Sequence, residues 1–338
     1  MAIYLPRYNR RGLLASEGLI TRATAYDAPT ENAPPAIRAI AYNAKGQQEK
    51  RVLGNHTITS YAYDPHTFRL IRLSTQRGDG KVVQKLAYVY DPVGNVTHVR
   101  DEAQETVWTR NAEIRPEHDY TYDALYRLIE ASGRENNTAP APPSRSEGQW
   151  PRGGIPDSHL PRNYTQRYDY DPVGNFASLR HEAGSSASWV RHYSTQPDSN
   201  RLHQTWYGSH AADAVSYRHD RHGNMLNLNR LDIDAPPPIV GDEQWGRQIR
   251  WDWRDMIRQF DAIGGGTATY HYGIDKQRTR KYIERIGGEV ADRIYLDGYE
   301  LYRRTNALGE ELEVIESHHL FEGEQRILLV DDVITVRA

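Results

Sequence analysis

Two histidine-containing clusters and one glycine run are the places in this chain whose residue types and spacing could do chemistry. His181 and Glu182, close in sequence to Asp171 and His192, could supply an acid and a base for hydrolysis. His318, His319 and Glu322 offer three potential metal ligands. Their spacing matches neither His-Glu-x-x-His nor another metal-binding helix, and a strand with its turn accounts for them more simply. Gly264-Gly265-Gly266 imitates a phosphate loop but lacks the following Lys-Ser/Thr and any helix, so a hairpin tip is expected there. Tryptophans and tyrosines beside Asp, Asn and Arg, including Trp251 and Trp253, are also what a carbohydrate-binding face would use. Tyrosines packed ring to ring within a sheet are the simpler reading. No catalytic, metal or cofactor site is expected.

The elements that would position these groups belong to a repeat. Tyr61-Ala62-Tyr63-Asp64, Tyr88-Val89-Tyr90-Asp91, Tyr120-Thr121-Tyr122-Asp123 and Tyr168-Asp169-Tyr170-Asp171 are copies of one signature. Twice it continues as Asp-Pro-Val-Gly-Asn, through Gly94 to Asn95 and through Gly174 to Asn175. Fainter copies are Ala41-Tyr42-Asn43, His192-Tyr193-Ser194, Tyr217-Arg218-His219-Asp220 with Gly223 and Asn224, Trp251-Asp252-Trp253-Arg254 and Tyr270-His271-Tyr272-Gly273. Reading Ser194 and Arg254 in the aspartate slot, the period is about twenty residues with insertions, the mark of an array whose units bury their apolar faces against neighbours. The long step from Asp123 to Asp171 is expected to hide a degenerate copy.

Composition narrows the class. The 42 basic and 45 acidic residues leave a formal charge of -3 and no basic field for nucleic acid. With 23 tyrosines and 7 tryptophans but 4 phenylalanines, the aromatic content favours rings with a polar handle, suited to a half-wet sheet surface. There is no cysteine, which excludes disulfides and thiolate metal sites. No stretch reaches the roughly 20 apolar residues that cross a bilayer, and the N-terminus does not read as a Sec signal peptide.

Around Asp91-Pro92-Val93-Gly94-Asn95, two runs of alternating and β-branched residues read as strand, turn, strand. Pro pre-sets φ, Gly supplies a positive φ, and Asp bonds the backbone ahead of it, so the aspartate is a turn former. Spacing by two puts each tyrosine pair on one face. Side-by-side hairpins would then stack their tyrosines into a ladder across strands. Arg69, Arg127 and Arg201 open the second strands. The reading is an all-β array of antiparallel β-hairpins over residues 41–338, with N-terminal strands as a lead-in at 1–40, a Pro/Gly-rich insertion at about 136–162 and a Pro-rich loop at about 232–241.

The Tyr-x-Tyr-Asp-Pro-x-Gly-Asn unit resembles the YD repeat of the Rhs family. The likeness is sharpest to toxin-complex B and C type and related Rhs toxin proteins, through Tyr61–Leu70, Tyr122–Glu135 and Arg293–Arg303, and covers about Tyr42 to Asp332. It implies a curved or spiralling sheet forming part of a hollow shell around a toxic polypeptide, whose partners are that cargo and the remaining shell segments. It also implies secretion or cell-surface delivery, with a cytoplasmic stage before release. The core region and toxin domain that follow such repeats in complete members are not recognised here, so self-cleavage is not carried over to Asp91 or Asp171. Unpaired sheet edges would permit self-association, and a glycan is the alternative partner.

Overall fold

In a computed structural model, the structure describes residues 3–21, 34–109, 111–136, 161–184, 187–209, 211, 214–228, 249–261, 266–323 and 325–336. These residues form an all-β protein of antiparallel hairpins in chain order. The chain divides into two compact units, one drawn from residues up to 191 and one from residues 192 on.

Six hairpins build the first unit: Ile3–Tyr8 with Leu14–Ile20, Pro35–Tyr42 with Gln48–Leu53, Ile58–Tyr63 with Leu70–Gln76, Val82–Tyr90 with Val96–Asp101, Glu117–Tyr122 with Leu128–Asn136, and Pro161–Tyr170 with Phe176–Glu182. Each also pairs antiparallel with the next, so the hairpins share one ladder. In the second unit an eight-stranded sheet runs in sequence order from Ile249–Trp251 to Gln325–Val336. The lead-in expected at 1–40 contains a hairpin of the same kind, and the strand Pro35–Tyr42 runs through its expected boundary.

Three expectations are corrected. Leu128–Asn136 pairs directly with Pro161–Tyr170, down to Asn136 opposite Pro161, so no further strand of the ladder stands between Asp123 and Asp171. The turn near Ser194 is closed by Gln196, whose amide donates to the Arg201 carbonyl. The turn near Arg254 is closed by Asp252, whose amide donates to the Met256 carbonyl. In the last case Trp251 takes the second tyrosine's place, which moves the register by two. Residues 232–241, most of 136–162, and Gly264 and Gly265 lie outside the described residues.

Alternation gives the first unit's sheet two unlike faces. Opposite Tyr61 and Tyr88 stand Leu73 and Val99, and beyond them Leu86 and His118. The other face carries Arg72, Arg100, Asp119, Glu130, Arg167 and Glu182. Among the described residues of this unit few large side chains are fully buried, Ile37, Ile114 and Glu17 among them. The tyrosine face is half-buried by its own lateral neighbours, as in a single-layer sheet.

Candidate functional site

The residues of the repeat converge on the hairpin tips. At Asp91–Asn95 the Asp91 amide donates to the Asn95 carbonyl at 2.9 Å and the Gly94 amide to the Asp91 carbonyl at 3.2 Å, with φ of +117° at Gly94. This is a type I turn followed by a left-handed residue, which inserts a bulge into the ladder. The register accordingly shifts between Val89 and Tyr90, and at the matching place before Tyr63, Tyr122, Tyr170 and Tyr272. The fourth turn position holds Gly174 and Gly223 in two other tips, but Tyr126, Asp255 and Lys276 also sit at positive φ there.

The aspartate works within its own turn. Asp91 Oδ1 accepts from the Gly94 and Asn95 amides at 2.7 and 2.8 Å, and Oδ2 from Asn95 Nδ2 at 2.7 Å. Asp171 accepts likewise from Val173 and from the amide and side chain of Asn175, and Asp220 from His222 and both groups of Asn224. Asp123 accepts from Leu125 and Arg127, and Asp64 from His66 and Thr67. Asn9 and Asn43 do the same with an amide oxygen. Donors aimed at the ionised form lower the aspartate pKa values. At Asp171 the Asn175 side chain contributes most, at Asp123 the Arg127 amide, and at Asp64 the Thr67 amide. At Asp91 and Asp220 desolvation is the largest influence and acts upward, yet the combined hydrogen bonds outweigh it.

The second tyrosine works between turns. The Tyr90 hydroxyl donates at 2.6 Å to the carbonyl of Leu70, the first residue of the second strand in the preceding hairpin. The same bond joins Tyr42 to Leu14, Tyr63 to Gln48, Tyr122 to Val96, Tyr170 to Leu128 and Tyr272 to Ile257, at 2.8 to 2.9 Å. The Trp251 indole nitrogen reproduces it on the Met225 carbonyl at 2.7 Å. Burial pushes the Tyr63, Tyr90, Tyr122 and Tyr170 hydroxyls up from their ordinary pKa, which keeps them protonated donors.

Arginines answer in the opposite direction. Arg69 donates to the Asp91 and Pro92 carbonyls of the next turn at 2.9 and 3.1 Å. Arg11 donates to the Asn43 and Ala44 carbonyls, and Arg254 to the Gly273 carbonyl. Gln47 Nε2 reaches the Phe68 carbonyl. The tips at Asn9 and Asn43, Asn43 and Asp64, Asp64 and Asp91, and Asp252 and Gly273 are thus stitched twice, by a hydroxyl pointing back and a guanidinium or amide pointing forward, whereas Arg127 Nε donates to Asp123 Oδ2 of its own turn. Sequence reasoning placed the arginines at second-strand starts without finding this role, and missed Arg11 entirely. The signal available was the recurrence of a long donor beside each turn.

The expected tyrosine ladder is replaced by this arrangement. Tyr88 and Tyr90 stack along their own strand, with centroids 6.4 Å apart, and Tyr170 lies 5.1 Å from Phe176 across its own turn. Tyrosine strands recur at every second strand, about 9.5 Å apart, beyond the 4.5–7 Å of ring stacking.

The candidate catalytic and metal groups are not brought together. His181 is buried between Tyr164 and Trp189, with Nε2 3.2 Å from Glu135 Oε1. Glu182 points to the opposite face beside Arg167. His318 packs on Tyr299, while His319, on the other face, stacks on Phe321. Among the described residues no group of three or more histidine or carboxylate side chains is placed to hold a metal. Trp253 is 85% exposed at its turn, whereas Trp251 is engaged in its staple, so the pair forms no aromatic row.

No family model matches the chain. It is 32% identical over 314 residues to toxin subunit YenC2 of Yersinia entomophaga, covering 86% of this chain and 30% of the relative. To toxin subunit YenC1 of the same organism it is 30% identical over 298 residues, covering 83% and 28%. Among solved structures it superposes along its whole length on 15% of a chain of the TcdB2-TccC3 complex, with a TM-score of 0.78 and 26% identity. The Photorhabdus luminescens Tc holotoxin pore gives the same score, coverage and identity. By sequence and by fold, the chain is similar to a repeat-built segment of toxin-complex proteins and spans about a third of the length of the curated relatives it matches.

Proposed function

We propose that the chain is a wall-forming segment of a toxin-complex shell, which encloses and shields a toxic polypeptide and performs no catalysis of its own. The observation that carries this reading is the stitched row of tips. Its polar side chains are spent on closing turns and joining hairpins, which is the chemistry of a wall. The similarity to Yersinia toxin subunits supports the same role. Its partners are then the toxic cargo and the other shell segments, and it acts in a toxin delivered outside the producing cell.

The test is a hybrid in which this chain replaces the aligned segment of the Yersinia subunit. Limited proteolysis should leave the subunit's C-terminal part protected when the chain is intact. Exposure of that part in a hybrid that still assembles would sink the proposal.

A further inference from the structure

We propose that the second unit carries an oxyanion-binding site, built on one face of its sheet by Arg278, Lys281 and Arg293 with Tyr270, Tyr295 and Tyr302, and that its ligand presents a phosphate or carboxylate group. The site does not depend on the shell reading.

Register brings these residues together. Across four consecutive strands, Thr267–Tyr272, Arg278–Glu284, Val290–Leu296 and Tyr299–Thr305, Tyr270 lies opposite Lys281, Lys281 opposite Arg293 and Arg293 opposite Tyr302. Residues directly opposite share a face, with Cβ atoms about 4.5–5.5 Å apart. Two cations therefore stand side by side between two tyrosines. Arg278 adds a third, its guanidinium carbon 4.6 Å from the Tyr295 ring centroid and 5.8 Å from that of Tyr270.

The charges on this face do not balance. Glu300, opposite Tyr295, is taken by Arg293 through Oε2 and has His319 Nε2 3.2 Å from Oε1. Among the described residues neither Arg278 nor Lys281 has an ion-pair partner. The other face supplies the contrast: Arg280, next to Lys281 in sequence, donates from Nε and Nη2 to both oxygens of Asp292 at 2.8 Å. Like charges directly opposite in a ladder are destabilising, and Lys281 is half-buried as well. Burial first, then Arg278 and Arg293, pushes its ammonium below the ordinary lysine pKa. Partly desolvated charge left without a counter-charge is an arrangement found where a ligand supplies it.

The ligand class follows from the donors. An oxyanion over Lys281 would separate the opposed cations, accepting from the ammonium as from a point charge and from the Arg278 guanidinium, whose position two rings hold. The Tyr270, Tyr295 and Tyr302 hydroxyls make no hydrogen bond to another described residue, so they remain available as neutral donors. Arg293 lies 4.8 Å from the Tyr302 ring centroid and stays with Glu300, which makes Lys281 and Arg278 the residues on which binding turns.

The experiment titrates two probes into the 338-residue chain near neutral pH, with chloride holding the ionic strength constant: inorganic phosphate followed by phosphorus NMR, and trifluoroacetate followed by fluorine NMR. Expected is saturable line broadening of at least one probe, weakened several-fold by Lys281→Met and by Arg278→Gln. Arg280→Met on the other face and Lys85→Met in the first unit should leave it unchanged. Circular dichroism confirms that each variant folds; Arg278→Gln decides if Lys281→Met does not fold, and Lys85→Met serves as control if Arg280→Met does not. Broadening of phosphate alone identifies a phosphate site, of trifluoroacetate alone a carboxylate site, and of both a general oxyanion site; each supports the proposal. No saturable broadening of either probe, broadening that survives Lys281→Met or Arg278→Gln, or equal weakening by the control variants would overturn it. The proteolysis of the hybrid reads the shell role separately, so failure of the site and failure of the shell are told apart.

Discussion

Replacing Tyr90 by Phe removes one hydroxyl and leaves the ring, which isolates the inter-hairpin staple from the face it sits on. The bond lost is the 2.6 Å donation to the Leu70 carbonyl. The ring keeps its stack on Tyr88 and its contact with the Arg69 guanidinium, 5.8 Å from the centroid. A net intramolecular hydrogen bond contributes roughly 0.5–1.5 kcal/mol. Because Tyr90 is half-buried, water can reach the orphaned carbonyl in part, and a loss of about 1 kcal/mol is expected. The control is Tyr88→Phe, two residues away on the same strand and face, whose hydroxyl makes no such bond; its change should stay within about 0.5 kcal/mol. In urea denaturation followed by far-ultraviolet circular dichroism, a slope near 3 kcal/mol/M turns the Tyr90 loss into a midpoint shift of about 0.3 M. Tyr63, Tyr90 and Tyr122 changed together should lose about 3 kcal/mol, since the staples share no partner. Equal losses from Tyr88→Phe and Tyr90→Phe would refute the reasoning, because the effect would then belong to the aromatic face and not to the staple.

Other perturbations reach other parts of the same row. Gly94→Ala should cost more than Gly12→Ala: both sit at positive φ, but a Cβ at Gly94 would lie 3.0 Å from Arg69 Nη2, whereas at Gly12 it meets nothing within 4 Å. Urea midpoints should separate them by about 1 kcal/mol, and the difference should shrink in an Arg69→Ala background. The tip aspartates have lowered pKa values in the folded chain, so the stability they contribute is present above the unfolded value of about 4 and is lost as pH falls through the lower folded value. The midpoint should therefore drop between about pH 4 and pH 2, and Asp91→Asn, which copies the Asn43 turn, should flatten that dependence; an unchanged slope in Asp91→Asn would reject the assignment. His219 stands in the second-tyrosine position before Asp220, its pKa pushed down first by burial and then by Arg201, and its buried Nδ1 has no hydrogen-bond partner. His219→Tyr should restore a staple to the preceding hairpin and raise the midpoint by about 1 kcal/mol equivalent; a fall would show that the site cannot take the longer ring. The strand Gln325–Val336 has a single neighbour among the described residues and exposes Val333 and Ile334, so sedimentation should show concentration-dependent association that Val333→Lys weakens.

Much of the hairpin array can be read from residue order, and the failures share a cause. Tyr-x-Tyr-Asp reveals strand, face and turn, because alternation and turn chemistry are local. The relations between hairpins are not local. The tyrosine ladder is a reasonable expectation from a single strand, but it overlooks that the repeat advances two strands at a time and leaves Leu73 or Val99 between tyrosine strands. The arginines are visible as residues, yet their forward reach to the next turn depends on the tips lying level, which only the ladder fixes.

The two misplaced turns arise from treating the signature as a string of letters. Trp251 donates where tyrosine would, and Asp252 accepts from the Arg254 and Met256 amides as other tip aspartates do. Glycine is absent at the left-handed position there, Asp255 taking it at φ +60°. What identifies a tip is therefore a set of donors and acceptors at fixed offsets: an oxygen that accepts two amides ahead of it, and just before it a ring that donates sideways. Read so, Trp251-Asp252 qualifies by function while Trp253-Arg254 does not. Of the two aromatic residues in a tip signature, the second is tied to the neighbouring hairpin and the first is left to the face. That division of labour is why removing the Tyr90 hydroxyl tests the joint between hairpins, whereas removing the Tyr88 hydroxyl leaves that joint in place.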